Sequence, residues 1–289
     1  MILYLEVEVY TREFKARLLL AAEAALKGFT VFLLSRQETL NLLNQNKLLP
    51  GIYHLKDANC SKFNIEFYKK LKSLGCLITT QDEEAGIMYD DYYEFIKRRF
   101  SSSESLNYIE KFFCFGRRDF EVLNKKFEKK IFYRTGSPRF DLCSQNFYEK
   151  KSSFLKKKNL RNFILISSSI QYPISFRSLA SQYDIRINPD SEKEEFLLYK
   201  EKNFFQKFRQ NLEQIPFFIK LIIYLSENLI GHDIVVRPHP NEDIETWNKL
   251  LKRTKSTNIK IIKDETLSEF INFSECLIQS GCTSAIEAF

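Results

Sequence analysis

The sequence predicts an α/β protein whose parallel sheets are covered by helices on both faces and divided between two domains facing one another across a cleft. Three observations predict this. Short apolar runs of strand length alternate with stretches whose apolar residues recur at helical spacing, the pattern of a buried parallel sheet. The chain has 289 residues, enough for two domains that each bury a core. Two unusual loops, Arg237-Pro238-His239-Pro240 and Ser280-Gly281-Cys282-Thr283-Ser284-Ala285-Ile286-Glu287-Ala288, each follow such a run. That is where open α/β sheets bind ligands.

The elements follow in order. Met1 to Val7 reads as a strand, and Thr11 to Lys27 as a helix with Phe14, Leu18, Ala21, Ala22 and Ala25 on one face, stopped by Gly28. Thr30 to Leu34 is the next strand. A helix near Ser61 to Leu74, strands at Cys76 to Thr79 and Phe112 to Phe115, a helix from Arg117 to Glu128 and a strand at Ile131 to Tyr133 continue the alternation. Thr135-Gly136-Ser137-Pro138-Arg139-Phe140-Asp141 then breaks regular structure. The first domain is read as residues 1–145, a lysine-rich crossing as 146–162, and the second domain as 163–289. In the second, Phe163 to Ile166 is a strand and Gln182 to Lys202 a polar excursion without clear period. A helix from Phe204 to Leu229, a strand at Ile234 to Arg237, a helix from Ile244 to Arg253, a strand at Lys260 to Ile262, a short helix at Leu267 to Phe273 and a strand at Glu275 to Gln279 complete it. Phe289 falls within the first turns of an expected helix, so the C-terminal end reads as truncated.

Composition narrows the classes. With 44% hydrophobic and 28% charged residues the chain reads as soluble, and no apolar run approaches the roughly 20 residues of a membrane-spanning helix. Cys60, Cys76, Cys114, Cys143, Cys276 and Cys282 show neither disulfide nor metal-ligand spacing, which suits reduced thiols in a cytoplasmic protein. The net charge of +7 admits nucleic acid, an anionic membrane surface or an anionic small molecule. The lysines cluster at Lys150, Lys151, Lys156, Lys157 and Lys158, where they look like a solvated linker.

Four groups of residues are suited to chemistry. The segment from Ser280 has the make-up of a strand-loop-helix phosphate site: Gly281 permits close backbone approach, Ser280, Thr283 and Ser284 offer hydroxyls, and the first N–H groups of the helix lack intrahelical partners. In the His-Pro loop two prolines fix the backbone around His239, whose imidazole can donate to a phosphate oxygen, while Arg237 can pair with phosphate. Asp82-Glu83-Glu84-Ala85-Gly86 crowds carboxylates at a strand end, which raises at least one pKa and suits a general base. Arg117, Ser137 and Arg139 lie on loops expected at the cleft side of the first domain. His54 and His232 have no comparable setting and read as structural or exposed.

As an ordered set these motifs resemble the bacterial surface carbohydrate biosynthesis protein family, related to capsule-type glycosyltransferases with two facing Rossmann-like, GT-B-like domains. Bacterial polysialyltransferases, capsular Kdo transferases and glycerophosphate polymerases share a similar acidic-acidic-Gly motif, His-Pro motif and Ser/Thr motif. The resemblance implies a donor-phosphate pocket made by Arg237, His239, Pro240, Ser280, Gly281, Thr283, Ser284 and Glu287, with Glu83 or Glu84 as base. Ala85 before Gly86 departs from the pattern and leaves both glutamates as candidates. Asp82, Gly86, Arg117, Ser137 and Arg139 would line the cleft.

The implied activity is metal-independent transfer of a sugar from a nucleotide-activated donor onto a surface polysaccharide or related glycan, without cofactor. Its partners would be the nucleotide sugar and a glycan or lipid-linked glycan acceptor, with room for peripheral association at the inner face of a membrane. Two other readings stand beside it. One is a non-hydrolysing UDP-sugar 2-epimerase-like enzyme; the other is a nucleic-acid-binding or scaffold protein. No nucleic acid is expected, because the aromatic residues lie in apolar periodic segments and not among the lysines.

Overall fold

Two parallel sheets form in a computed structural model that describes residues 1–82, 103–143, 150–187, 194–252, 254, 256–263, 267–281 and 284–288. The chain divides into unit 1, Met1–Gln145, and unit 2, Asn146–Phe289.

Unit 1 runs β1 (Ile2–Glu6), α1 (Tyr10–Leu26), β2 (Thr30–Leu34), α2 (Arg36–Asn44), β3 (Ile52–Leu55), α3 (Lys62–Ser73), β4 (Leu77–Gln81), β5 (Ile109–Cys114), α4 (Arg117–Phe127), β6 (Phe132–Arg134) and α5 (Pro138–Asp141). Its strand order is β2-β1-β3-β4-β5-β6, with every pairing parallel. Side chains alternate between the faces. Tyr4, Tyr53, Leu55, Ile78 and Phe112 pack with Phe67, Tyr68 and Leu71 of α3 and Leu123 of α4. Leu3 and Leu5 turn the other way, towards Ala21 and Ala24 of α1.

Three elements of unit 1 are absent from the sequence-based expectation: α2, β3 and the four-residue α5, where only a turn was expected. The helix α2 opens on a capping box in which Ser35 Oγ accepts from the Glu38 N–H (3.2 Å) and Glu38 Oε2 accepts from the Ser35 N–H (2.7 Å). The strand β3 starts after Gly51, where a β-carbon would lie 2.7 Å from the Ile2 carbonyl oxygen. Only glycine lets β3 approach β1 this closely.

Unit 2 runs α6 (Lys151–Lys157), β7 (Phe163–Ser167), α7 (Leu179–Ile187), α8 (Glu194–Asn228), β8 (Asp233–Arg237), α9 (Ile244–Leu251), β9 (Ile259–Ile261), α10 (Leu267–Phe273), β10 (Cys276–Gln279) and α11 (Ser284–Glu287). The strand order is β10-β7-β8-β9, again all parallel. Ile166, Ile234, Val236 and Trp247 form one core with Phe218 and Ile222 of α8. Leu165 and Val235 face the opposite way, onto Phe154, Phe270 and Phe273.

Two expectations are revised here. Part of the expected crossing 146–162 belongs to the packed unit, since Phe154 of α6 is buried with its ring 4.8 Å from that of Phe273 and 5.3 Å from that of Phe270. The expected excursion Gln182 to Lys202 is helical in its described parts, formed by α7 and the start of α8. Tertiary contacts hold it in place of a periodic apolar stripe: Gln182 Nε2 donates to the Tyr172 and Arg177 carbonyls, and Tyr183 and Tyr172 pack edge-on against Phe204.

Candidate functional site

The parallel register of unit 2 sets Gln279, Ser167 and Arg237 level across β10, β7 and β8. The chain leaves β7 for β8 and β9 on one side, then returns to place β10 on the other. The crevice between β7 and β10 is therefore a topological switch point, where such sheets take ligands. The His-Pro loop leaves β8 and the Ser280 loop leaves β10 at the same edge. With strands about 4.8 Å apart, the two loops start roughly 10 Å from one another.

His239 is half-buried, and its Nδ1 accepts from the Asn241 N–H (3.2 Å). A nitrogen that accepts carries no proton in the neutral ring, so the ring proton sits on Nε2. The loop is held from both sides. The Glu242 N–H donates to the His239 carbonyl (2.8 Å), the Asp243 N–H to the Ile174 carbonyl (2.7 Å) and Asn241 Nδ2 to Gln171 Oε1 (3.2 Å).

Beneath the loop lies a group the motifs do not reveal. The carboxylate of Glu242, wholly buried, accepts from Ser168 Oγ (2.5 Å), the Ile170 N–H (2.7 Å) and Trp247 Nε1 (2.8 Å). Burial pushes its pKa up against the pull of these donors. One side chain thus ties the loop after β7 to the loop after β8 and to α9. An acid two residues past Pro240, just before the N-cap Asp243 of α9, is the sequence signal that could have found it.

Arg237 is buried, its guanidinium 5.3 Å from the centroid of the Phe270 ring. Pro240 is exposed. On the other loop, Ser280 Oγ donates to Gln214 Oε1 of α8 (3.3 Å) and exposed Gly281 has φ +62°, a conformation that favours glycine. Ser284 is wholly buried and its hydroxyl has no hydrogen-bond partner among the described residues. Glu287 ends α11, and Thr283 lies outside the described residues.

Of the sites expected in unit 1, Glu83, Glu84 and Gly86 lie outside the described residues. Asp82 is buried at the end of β4, where Gln81 Nε2 donates to the Gly136 carbonyl and brings the loop after β6 alongside. Ser137 is buried and its Oγ accepts from the Arg139 N–H (3.3 Å), capping α5. Arg117 is exposed, its Nε donating to Glu121 Oε1 on its own helix (2.6 Å).

The first strand-to-helix turn of unit 1 does not suit phosphate. Glu6, at the end of β1, is buried and accepts two bonds from Arg36, from Nε (2.5 Å) and from the other arm of the guanidinium (3.0 Å). Glu13 of α1 accepts from the Glu8 and Val9 N–H groups (2.8 and 3.2 Å). Glu13 occupies two backbone donors at this turn, and the carboxylates of Glu6 and Glu13 oppose an anion there.

Among the described residues no three His, Cys, Asp or Glu side chains gather as a metal site, and no helix is long and apolar enough to cross a membrane.

No family model and no curated protein matches the chain. Solved structures do. The UDP complex of S. aureus MnaA superposes with a TM-score of 0.55 at 13% identity, covering 96% of this chain and 73% of that one. A putative UDP-N-acetylglucosamine 2-epimerase from Listeria monocytogenes gives 0.54 at 13% identity over 96% and 73%. UDP-N-acetylglucosamine 2-epimerase from Rickettsia bellii gives 0.50 at 10% over 99% and 76%. At these identities the likeness is one of fold: the chain shares the two-unit Rossmann-like α/β architecture of these proteins.

Proposed function

We propose that this protein is an enzyme of nucleotide-sugar metabolism and that unit 2 holds the donor's phosphates at the β10-β7-β8 edge. The observation that carries this reading is the level row Gln279, Ser167, Arg237, from which the His-Pro loop and the Ser280 loop leave on either side of β7. His239 Nε2–H is the fixed donor for a phosphate oxygen. The buried guanidinium of Arg237 adds positive potential behind it. Ser280 and Gly281 offer a hydroxyl and an open backbone, and the enclosed hydroxyl of Ser284 is an unmet group that a phosphate oxygen would satisfy.

The reaction we assign is glycosyl transfer in surface-glycan synthesis. An acceptor hydroxyl oxygen bonds to the anomeric carbon, the bond from that carbon to the phosphate oxygen breaks, and the acceptor proton passes to Glu83 or Glu84. The nucleotide leaves with the electron pair, its growing negative charge met by His239. A fixed donor of this kind lowers a barrier by about 3 kcal/mol. A second reading, 2-epimerisation of a UDP-sugar, is favoured by the fold shared with the Listeria and Rickettsia proteins.

Thermal shift with CMP, CDP, UDP and GDP tests the site. The matching nucleotide stabilises the protein by about 2.7 kcal/mol at a hundredfold excess over its Kd. His239→Ala weakens that nucleotide by on the order of 10- to 100-fold. Ser284→Ala also weakens it, yet raises ligand-free stability by about 1 kcal/mol because an unmet buried hydroxyl is removed. No response to any nucleotide would refute the reading. Incubation with the matching nucleotide sugar then separates the reactions: an epimerase changes the sugar with no acceptor present, whereas a transferase releases nucleotide only when an acceptor is supplied.

A further inference from the structure

The α1 face of the unit 1 sheet carries a half-open pocket of about 380 Å³. Its origin lies in the strand alternation. Leu3, Leu5, Ile52, His54, Thr79, Gln81 and Phe113 all point to this face, and Pro138 and Asp141 of α5 line it from the helix side. Leu20 of α1 and Phe29 complete an apolar chamber.

The polar groups gather on the β3-β4 side. His54 is buried and its Nδ1 shares a hydrogen bond with Thr79 Oγ1 (2.9 Å), while the ring tilts against Phe113 at 5.8 Å. Its Nε2 makes no hydrogen bond among the described residues. Burial, with Arg17 nearby, holds the imidazole neutral, well below its usual range. A neutral ring offers one hydrogen bond and no charge. The carboxylate of Asp141, which also lines the cavity, opposes an anion.

A dry cavity of about 150 Å³ lined by aliphatic and aromatic groups already takes up benzene. This one is more than twice as large and falls in the range of small-molecule sites. We infer that unit 1 carries a binding site for an uncharged hydrocarbon on the order of ten carbons, scaled from benzene, bearing one hydroxyl or carbonyl oxygen. The hydrocarbon lies over Leu3, Leu5, Ile52 and Phe113, and its oxygen meets His54 Nε2. The inference is independent of the nucleotide reading, which concerns unit 2.

Titration of the full chain with 1-octanol tests it. Calorimetry gives saturable binding, and the imidazole NMR signals of His54 shift while those of His239 stay still. Leu20→Trp, which fills the chamber, abolishes binding; Ile52→Phe does the same from the sheet side should the first variant not fold. His54→Phe weakens octanol about three- to tenfold, the worth of one hydrogen bond. Failure of the wild type to bind 1-octanol, or equal binding by a folded filled variant, overturns the site and leaves nucleotide binding at His239 untouched.

Discussion

At the scale of single residues, Glu242 governs the shape of the His-Pro loop. Its three acceptor bonds mean that Glu242→Ala leaves an indole N–H, a hydroxyl and a backbone N–H unmet inside the protein. The cost is about 3 kcal/mol in urea unfolding. The pH dependence has a definite sign. Burial raises the native pKa above the ordinary 4.5, so the folded state holds this proton more tightly than the unfolded chain. The contribution of Glu242 therefore falls as pH rises from about that value through the raised one. Glu242→Gln removes this slope, and a stability difference between wild type and Gln variant that stays constant from pH 4 to 8 would contradict the assignment. The histidine itself was legible from two prolines after a strand, but the carboxylate beneath it was not. Its role comes from donors 72 and 74 residues away along the chain, at Ile170 and Ser168, and one from Trp247.

At the scale of elements, β8 shows how a strand divides stability from chemistry between its ends. Its first residue, Asp233, is buried and accepts from the Arg161 N–H (2.9 Å), the Arg161 guanidinium (2.9 and 3.1 Å) and Lys260 Nζ (3.2 Å). Burial alone would raise its pKa, but the Arg161 and Lys260 bonds together bring it below the ordinary 3.8. Its stabilisation is thus present above that value and lost as pH falls through the lowered one. Asp233→Asn should cost about 2 kcal/mol at pH 7, with the difference closing in strong acid; equal melting of the two proteins at pH 7 would argue against this clamp. The strand itself was legible because Ile234 to Val236 are buried on both faces and form an unbroken apolar run. By contrast, β3 is only four residues long and includes His54, so its period is too brief to register. The helix α2 follows a Ser-x-x-Glu capping box that composition alone conceals, and α7 is fixed by Gln182 and Tyr183 reaching distant partners. Apart from α2, whose capping box stands in the sequence, elements made by their own pattern were visible and those made by tertiary contact were not.

At the scale of the whole molecule, two parallel-sheet units of different strand order present different chemistry at their strand ends. Unit 1 sets the carboxylates of Glu6 and Glu13 beside the turn after β1 and keeps an apolar pocket under α1. Unit 2 sets a half-buried imidazole and a serine-glycine loop at the strand ends beside its switch point. On the proposed reading the anion binds unit 2, where Arg237 also lies. Because the protein has three histidines, His54, His232 and His239, imidazole NMR reads the assignment directly. Titrating the full chain with UDP, or with whichever nucleotide gives the thermal shift, should move the ring signals of His239 alone, and its free spectrum should show the proton on Nε2. Nucleotide that binds while His239 stays still, or that moves His54 instead, would contradict the placement of the phosphate site on unit 2.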